Sequence, residues 1–350
     1  MPKEQPTVLL HLPHPAMLDA TAASLGDLPS AAAGSFVEAG HAVSSSREIL
    51  HLTRVFQERG WRCLWAPFSE VEPACLRHRG VYDAATGTRS ELTADGLNAE
   101  VDVVVARLLG SVESRIRTVR EYFETLREQF TGTVVNDPVS VLYGLRKDYL
   151  FEYLKRDFRT IPTESFEPSV TFRELSRACG GRLDDHIVKP VTGELSNSFM
   201  AMSQVDDRVL RHKEPLVGGW LLQPFVPHVW DGEYQVFFVG DRIVHGMRKH
   251  YPGRDRSGVP TRAGRVVDPY TPTAADTAFA REARALWTED LAKPTDLCRV
   301  DFLKEPDGTP VLLEFEAVNP GFSFGRLDEP AGRRLAGWFE DHIRRRMVHG

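Results

Sequence analysis

The sequence predicts an α/β protein of more than one domain, and three observations carry that reading. Short apolar runs alternate with helix-length amphipathic stretches over residues 1–136, the pattern of an α/β layer domain. Several later apolar runs are paired across tight turns, which is hairpin patterning rather than crossover patterning. A chain of 350 residues is also long enough for two or three cores.

The elements follow in order. Thr7 to Leu12 reads as a first buried strand, and residues 14–40, rich in Ala, Ser, Gly and Pro, carry no clear pattern. Ser44 starts a helix whose face is Ile49, Leu50, Leu52, Val55 and Phe56, ending at Gly60. Arg62 to Pro67 is a second strand, a hairpin turns around Thr86-Gly87, and Val101 to Arg107 is a third strand. A helix spans Ser111 to Phe130, before a short strand from Thr133 to Val135. Asn136-Asp-Pro138 is a turn leading to a helix that carries Lys147. Val170 to Cys179 is a helix, His186 to Lys189 a strand, and Pro190 to Ser198 a polar turn before a strand from Phe199. Trp220 to Val226 is an apolar strand running into a proline. Tyr234–Val239 and Ile243–Met247 form a hairpin about Gly240-Asp241, and helices occupy Thr273 to Leu291 and Glu329 to Met347.

Composition excludes several function classes. A net charge of -6 argues against a general nucleic-acid or anionic-membrane binder. The four cysteines have no C-x-x-C spacing, so reduced structural thiols are expected rather than a disulfide or zinc framework. No basic-then-apolar leader and no run of roughly 20 apolar residues is present, so a cytoplasmic location without a membrane anchor is expected.

The stretch with most chemistry in it runs from Cys298 to Phe322. It reads as two strands, Arg299–Leu303 and Val311–Phe315, joined by the turn-rich Glu305-Pro-Asp-Gly-Thr-Pro310. Strand alternation sends Glu314 and Glu316 to one face, where Asp301 of the partner strand can meet them. Carboxylates that converge need a cation between them, and hard oxygen ligands suit Mg²⁺, which takes one or two carboxylates plus substrate phosphates. Taken alone, such a hairpin is usually an acidic surface turn. Upstream, Lys189 ends a strand beside a small-polar loop whose amides and hydroxyls can cover a phosphate. Arg254, Arg256, Arg262 and Arg265, with Arg248, Lys249 and His250 before them, form the one basic cluster of an acidic chain and can steer an anion.

The order of these pieces is more specific than any of them. Val134-Val-Asn-Asp-Pro with Lys147, then Val188-Lys-Pro, Gln223-Pro-Phe-Val, Gly232-Glu before a Val-Gly-Asp hairpin with Arg248, and finally Asp301 and Glu314-x-Glu316 together resemble the ATP-grasp superfamily. The likeness covers about residues 100–325 and is greatest to the glutathione synthetase and amino-acid ligase branch. It implies an N-terminal α/β domain over 1–136, a central lid subdomain over 137–222 and a C-terminal subdomain with the metal site over 223–350, the last two clasping ATP.

The resemblance also implies roles. Lys147 and Lys189 match the lysines on the α- and β-phosphates, and Thr192 to Ser198, with Thr192, Ser196 and Ser198 as its hydroxyls, matches the loop closing over the triphosphate. Gln223 and the backbone of Phe225 and Val226 match the adenine-reading hinge, and Glu233 the acidic residue at the ribose. Arg248 matches the arginine on the transferring phosphate, while Asp301 and Glu314 match metal ligands. The chain departs from the family in having Glu316 where asparagine is usual, which leaves Glu316 or Asn319 as the third ligand. Its closing loop lacks the usual glycines, and Lys249, Arg262 and Arg265 are left as candidates to hold a substrate carboxylate.

The activity implied is an ATP-dependent ligase joining a small carboxylate to an amine through an acylphosphate, with Mg²⁺ or Mn²⁺ as cofactor. A homodimer or homotetramer is the usual assembly of such enzymes. Two rival readings are a phosphotransferase of the same fold and a regulator that binds ATP without turnover.

Overall fold

The computed structural model describes residues 5–12, 39–107, 109, 115–192, 200–251 and 266–349. Its strands fall into three sheets that follow one another along the chain.

The first sheet holds β1 (Thr7–Leu12), β2 (Arg62–Pro67), β3 (Val71–Glu72), β4 (Arg77–Asp83), β5 (Arg89–Leu92), β6 (Val103–Val105) and β7 (Thr133–Val135), in the order β3-β4-β2-β1-β6-β7 with β5 on β4. β1 is parallel to β2 and β6, and β6 to β7. Every residue of β1 is buried, as a strand covered on both faces must be. One face packs α2 (Ala94–Glu100) and α3 (Ile116–Gln129), the latter through Val119, Tyr122, Phe123 and Leu126. The other packs α1 (Ala39–Glu58) through Ile49, Leu52, Val55 and Phe56.

After α4 (Pro138–Gly144) and α5 (Leu150–Lys155), the second sheet takes β8 (Glu164–Phe166), β9 (His186–Pro190), β10 (Met200–Ala201) and β11 (Trp220–Pro224) in the order β10-β9-β11-β8. α6 (Phe172–Ala178) and α7 (Asp207–Val217) lie between those strands in the chain. The third sheet is an antiparallel meander of β12 (Glu233–Val239), β13 (Arg242–His250), β14 (Val266–Tyr270), β15 (Leu297–Lys304) and β16 (Pro310–Glu316), ordered β14-β13-β12-β15-β16. Its Val236, Phe238, Val300 and Phe302 meet α5 and α8 (Ala274–Ala285).

The opposite face of the third sheet is divided. Phe237, Val239, Met247 and Leu297 enter the same core as α1, closed by Leu335, Phe339 and Ile343 of α9 (Glu329–His349). Trp61 donates its indole N–H to the buried Glu340 of α9 at 2.6 Å, and Arg59 and Arg344 pair with that carboxylate. The last helix therefore docks on the first one. At the other end the same sheet face is charged, and that end holds the candidate site.

Most expected elements are present, and the bounds of β1, β2 and β7 coincide with those predicted. α1 begins five residues before Ser44, and the expected helix from Ser111 is described from Ile116. Lys147 is not carried by a helix as expected: it opens the 3₁₀ turn Lys147–Tyr149 between α4 and α5. Sequence reading missed α7, whose start is marked by Asp206 accepting the N–H groups of Arg208 and Val209. It also missed β8 and β14, whose exposed residues carry no alternation. Among the described residues, no helix is long and apolar enough to cross a membrane.

Candidate active site

Register in the third sheet brings the acidic residues together. Asp301 on β15 lies opposite Glu314 on β16, and Arg299 opposite Glu316, so alternation puts all four on one face before a bulge follows Asp301. On the other side of β15, Gln235 of β12 lies opposite Asp301, and Glu233 opposite Lys249 of β13. Seven charged or amide side chains therefore share a face that elsewhere is apolar.

Their contacts alternate in sign. Arg299 donates Nε–H to Asp301 Oδ1 at 2.6 Å and Nη2–H to Oδ2 at 2.7 Å. Gln235 Nε2 donates to the same Oδ2 at 2.9 Å, and Lys249 Nζ stands 3.8 Å from it. Lys249 also pairs with Glu233, whose other oxygen accepts the Tyr251 hydroxyl at 2.7 Å. Burial opposes the charge of Arg299, and the ion pair with Asp301 overrides it, holding the guanidinium well above its usual range.

Two lysines face this group from outside the sheet. Lys147 Nζ lies 2.8 Å from Glu314 Oε1. Its backbone N–H donates to Val191 O at 2.8 Å, stapling the turn to the end of β9. Lys189 on β9 is pushed down to about 7 by burial and then by Lys147, while Glu314 and Glu233 pull it back up. Burial works to raise the Glu314 carboxyl, but Lys147 and Lys189 outweigh it and leave it below the usual range. Glu316 goes the other way, raised by burial and by the Glu314 charge. Arg299, opposite it on β15, and Lys147 offset that rise only in part.

The other expected residues are placed as follows. Gln223 is buried on β11, with its Nε2 donating to Thr163 Oγ1 at 2.7 Å and its Oε1 an acceptor without a donor. Phe225 N–H is committed to Asp185 O at 2.7 Å, which removes it as a base-reading donor and leaves the backbone of Val226. Thr192 is buried just beyond β9. Asn319 donates its backbone N–H to Glu316 Oε1 at 3.0 Å, beside Val318 N–H at 2.9 Å, so both candidates for third ligand belong to one loop. Ser196, Ser198, Arg262 and Arg265 lie outside the described residues.

Arg248 lies apart from these carboxylates. Alternation along β13 sends it to the face opposite Lys249, where it pairs across the sheet with Tyr234. There its guanidinium lies 5.2 Å from the Tyr234 ring centroid and donates to Asp231 O. The arginine among the carboxylates is Arg299. Its signal was in the sequence, two residues before Asp301 and so on the same strand face, but a basic residue beside three acids looks like simple neutralisation.

The donor chemistry fits a hard divalent cation and a nucleotide. Among the described residues, no three His, Cys, Asp or Glu side chains form a ready cage. Mg²⁺ does not need one, since it is held by one or two carboxylates with phosphates and water. Glu316, engaged at Oε1 and held above the usual range by burial and by Glu314, and Glu314, paired with Lys147, are the carboxylates suited to it. Gln223 Oε1, buried and unpartnered at a strand end, fits the exocyclic amine of a base.

No family model matches the chain, and no curated protein does. Solved structures do. The chain is similar to D-cycloserine synthetase DcsG at a TM-score of 0.66 and 18% identity, over 96% of this chain and 99% of that one. It is similar to D-alanyl-alanine synthetase A from Vibrio cholerae at 0.64 and 13%, over 98% and 99% of the two chains. The ATP-grasp ligase PsnB, complexed with a minimal precursor, matches at 0.55 and 13%, over 97% and 100%. Over nearly its whole length, the chain has the ATP-grasp fold.

Proposed function

We propose that this chain is an ATP-dependent ligase that joins a small-molecule carboxylate to an amine. A carboxylate oxygen would attack the γ-phosphorus of ATP and release ADP; the amine would then attack the acyl carbon and release phosphate, giving an amide. The observation that carries this reading is the meeting of Lys147 and Lys189 with Glu314 and Glu316 on the charged end of the third sheet. Amide formation is chemistry the fold supports, as the D-alanyl-alanine synthetase among its solved structures indicates by name.

Each residue has a task in this reading. Lys147 and Lys189 bind phosphate oxygens, and an arriving polyanion supplies the charge that keeps Lys189 protonated. Gln223 Oε1 and the backbone of Val226 read the adenine edge. Thr192, buried just beyond β9, is placed to meet the phosphates. Glu314 with Glu316 or Asn319, and Asp301 behind them, would hold Mg²⁺, which when bound neutralises charge on the β- and γ-phosphates. Arg299, oriented by its two bonds to Asp301, stabilises negative charge developing on the transferring group. Lys249, fixed by Glu233 at the edge of the group, is placed for the substrate carboxylate.

The test is incubation with ATP, Mg²⁺ and pooled small acids and amines, following ADP, free phosphate and product mass. ADP and phosphate in equal amounts with a product of amide mass support the ligase. A stable phosphorylated product without phosphate release makes it a phosphotransferase, and tight ATP binding without turnover across the pool makes it a regulator. Either result overturns the proposal.

A further inference from the structure

One buried ion pair ties α1 to the end of β6, and its arginine reaches on to the loop that follows Glu316. Arg107 lies just past the end of β6 and Glu48 on α1, each almost fully buried. Arg107 Nη2 stands 2.8 Å from Glu48 Oε1 and donates to the carbonyl of Pro320 at 2.6 Å. Its guanidinium also lies 4.9 Å from the Phe322 ring centroid. A buried charge of this kind is costly unless its bonds do something that an apolar side chain could not.

What it holds is specific. The loop from Glu316 to Phe322 is tied at its near end by Glu316 Oε1, which accepts Val318 and Asn319 N–H. Its far end is tied at Pro320 O. The peptide is planar, so fixing the Pro320 carbonyl also fixes the direction of the Gly321 N–H, on the opposite side of the same plane. Gly321 is exposed, and a Cβ there would meet nothing within 4 Å, so this peptide borders open space. Without Arg107, nothing on the first sheet described above would grip that carbonyl.

We infer that Arg107, oriented by Glu48, is a positioning residue that holds the Val318–Phe322 loop so that the Glu316 carboxylate is set for a divalent cation. The inference rests on the metal reading of the proposed function. It makes the first sheet part of the metal site without supplying a ligand.

Manganese is the probe. The full chain with ADP is titrated with Mn²⁺ and followed by electron paramagnetic resonance, and ADP affinity is measured separately in EDTA. Arg107→Met weakens Mn²⁺ binding about 10- to 100-fold, the usual effect of removing a residue that orients a metal ligand. ADP affinity in EDTA stays within about threefold, the span of ordinary remote substitutions. Because the single variant leaves Glu48 buried and unpaired, Glu48→Met/Arg107→Met is the second arm. Both charges are gone there, a thermal melt confirms folding, and the Mn²⁺ loss persists. A folded double variant that binds Mn²⁺ like the parent overturns the inference, as does a loss of ADP affinity equal to the loss of Mn²⁺ affinity, the sign of general structural damage. Failure of the parent chain itself to bind Mn²⁺ withdraws the metal reading, and this inference with it.

Discussion

Lys147 Nζ and Glu314 Oε1 are 2.8 Å apart, a contact between a turn stapled to the second sheet and the last strand of the third. The pair spans the two layers that would clasp a nucleotide. Glu314 also supports the charge of Lys189. In the proposed reading, removing its charge would act on metal and phosphate together. Glu314→Gln is expected to lower Mg²⁺-dependent ADP formation by about 10²–10³-fold, the range for losing one preorganised electrostatic group. The variant should melt cooperatively, because an amide still offers Lys147 an acceptor. Retained turnover in a folded Glu314→Gln protein would refute the metal assignment.

The two arginines make a sharper contrast. Arg299 and Arg248 are both on the third sheet, but only Arg299 shares the face of Asp301 and Glu314. Arg299→Lys keeps the charge and loses the two-pronged bond to Asp301, because an ammonium has no planar fork. A drop in kcat of about 10²-fold or more is expected, by the same electrostatic argument. Arg248→Met, on the far face over Tyr234, should stay within about threefold. If the ranking is reversed, the placement of the site face is wrong.

The contrast also shows what was legible in the sequence. Glu314 and Glu316 could be assigned to one face because strand parity is local, and the register sets Asp301 opposite Glu314 before the bulge begins. Lys147 was found by motif order, yet its helix was not there, because the segment breaks into a 3₁₀ turn where its backbone bonds Val191. Arg248 was assigned by order as well, and parity alone would have sent it away from Lys249. Glu48 and Arg107 gave no signal, since an acid on an amphipathic helix and an arginine after a strand are ordinary at the surface. Only tertiary packing buries them together.

Asn136 is another case where a turn residue proved to be a tie. Its buried side chain donates to Leu297 O at 2.8 Å and Ala317 O at 2.7 Å, and accepts Leu297 N–H at 2.6 Å. One amide thus joins the end of β7 to the start of β15 and the end of β16. Asn136→Ala leaves three buried backbone groups without partners. At about 1 kcal/mol or more for each orphaned group, the expected cost is roughly 3 kcal/mol, read from urea unfolding. A loss under about 1 kcal/mol would mean that water replaces the amide.

The buried histidines of the first sheet predict the pH dependence of stability. His11 Nδ1 is 3.1 Å from Ala66 O, which can only accept, so Nδ1 carries the proton and Nε2 is an acceptor. Tyr122 then donates its hydroxyl to His11 Nε2 at 2.6 Å and accepts from His78 Nε2 at 3.2 Å. His11 must be neutral to accept the Tyr122 hydroxyl, whereas the bond from His78 Nε2 leaves the charge of His78 to be set by its burial. Burial, aided by His78 and opposed by the Ala66 carbonyl, holds His11 down to about 3, and burial, opposed by the Leu76 backbone, brings His78 to about 4. Unfolded histidines titrate near 6.5, so below that value the unfolded chain takes up protons that the native protein refuses. Stability is present above that pH and is lost as the pH falls toward the native values. The slope from the pair approaches about 2.7 kcal/mol per pH unit once both unfolded rings are charged. Urea unfolding at pH 7, 6 and 5 measures it, and His78→Leu should flatten the curve by about one proton. An unchanged slope in that variant would show that His78 is protonated in the native protein despite its burial.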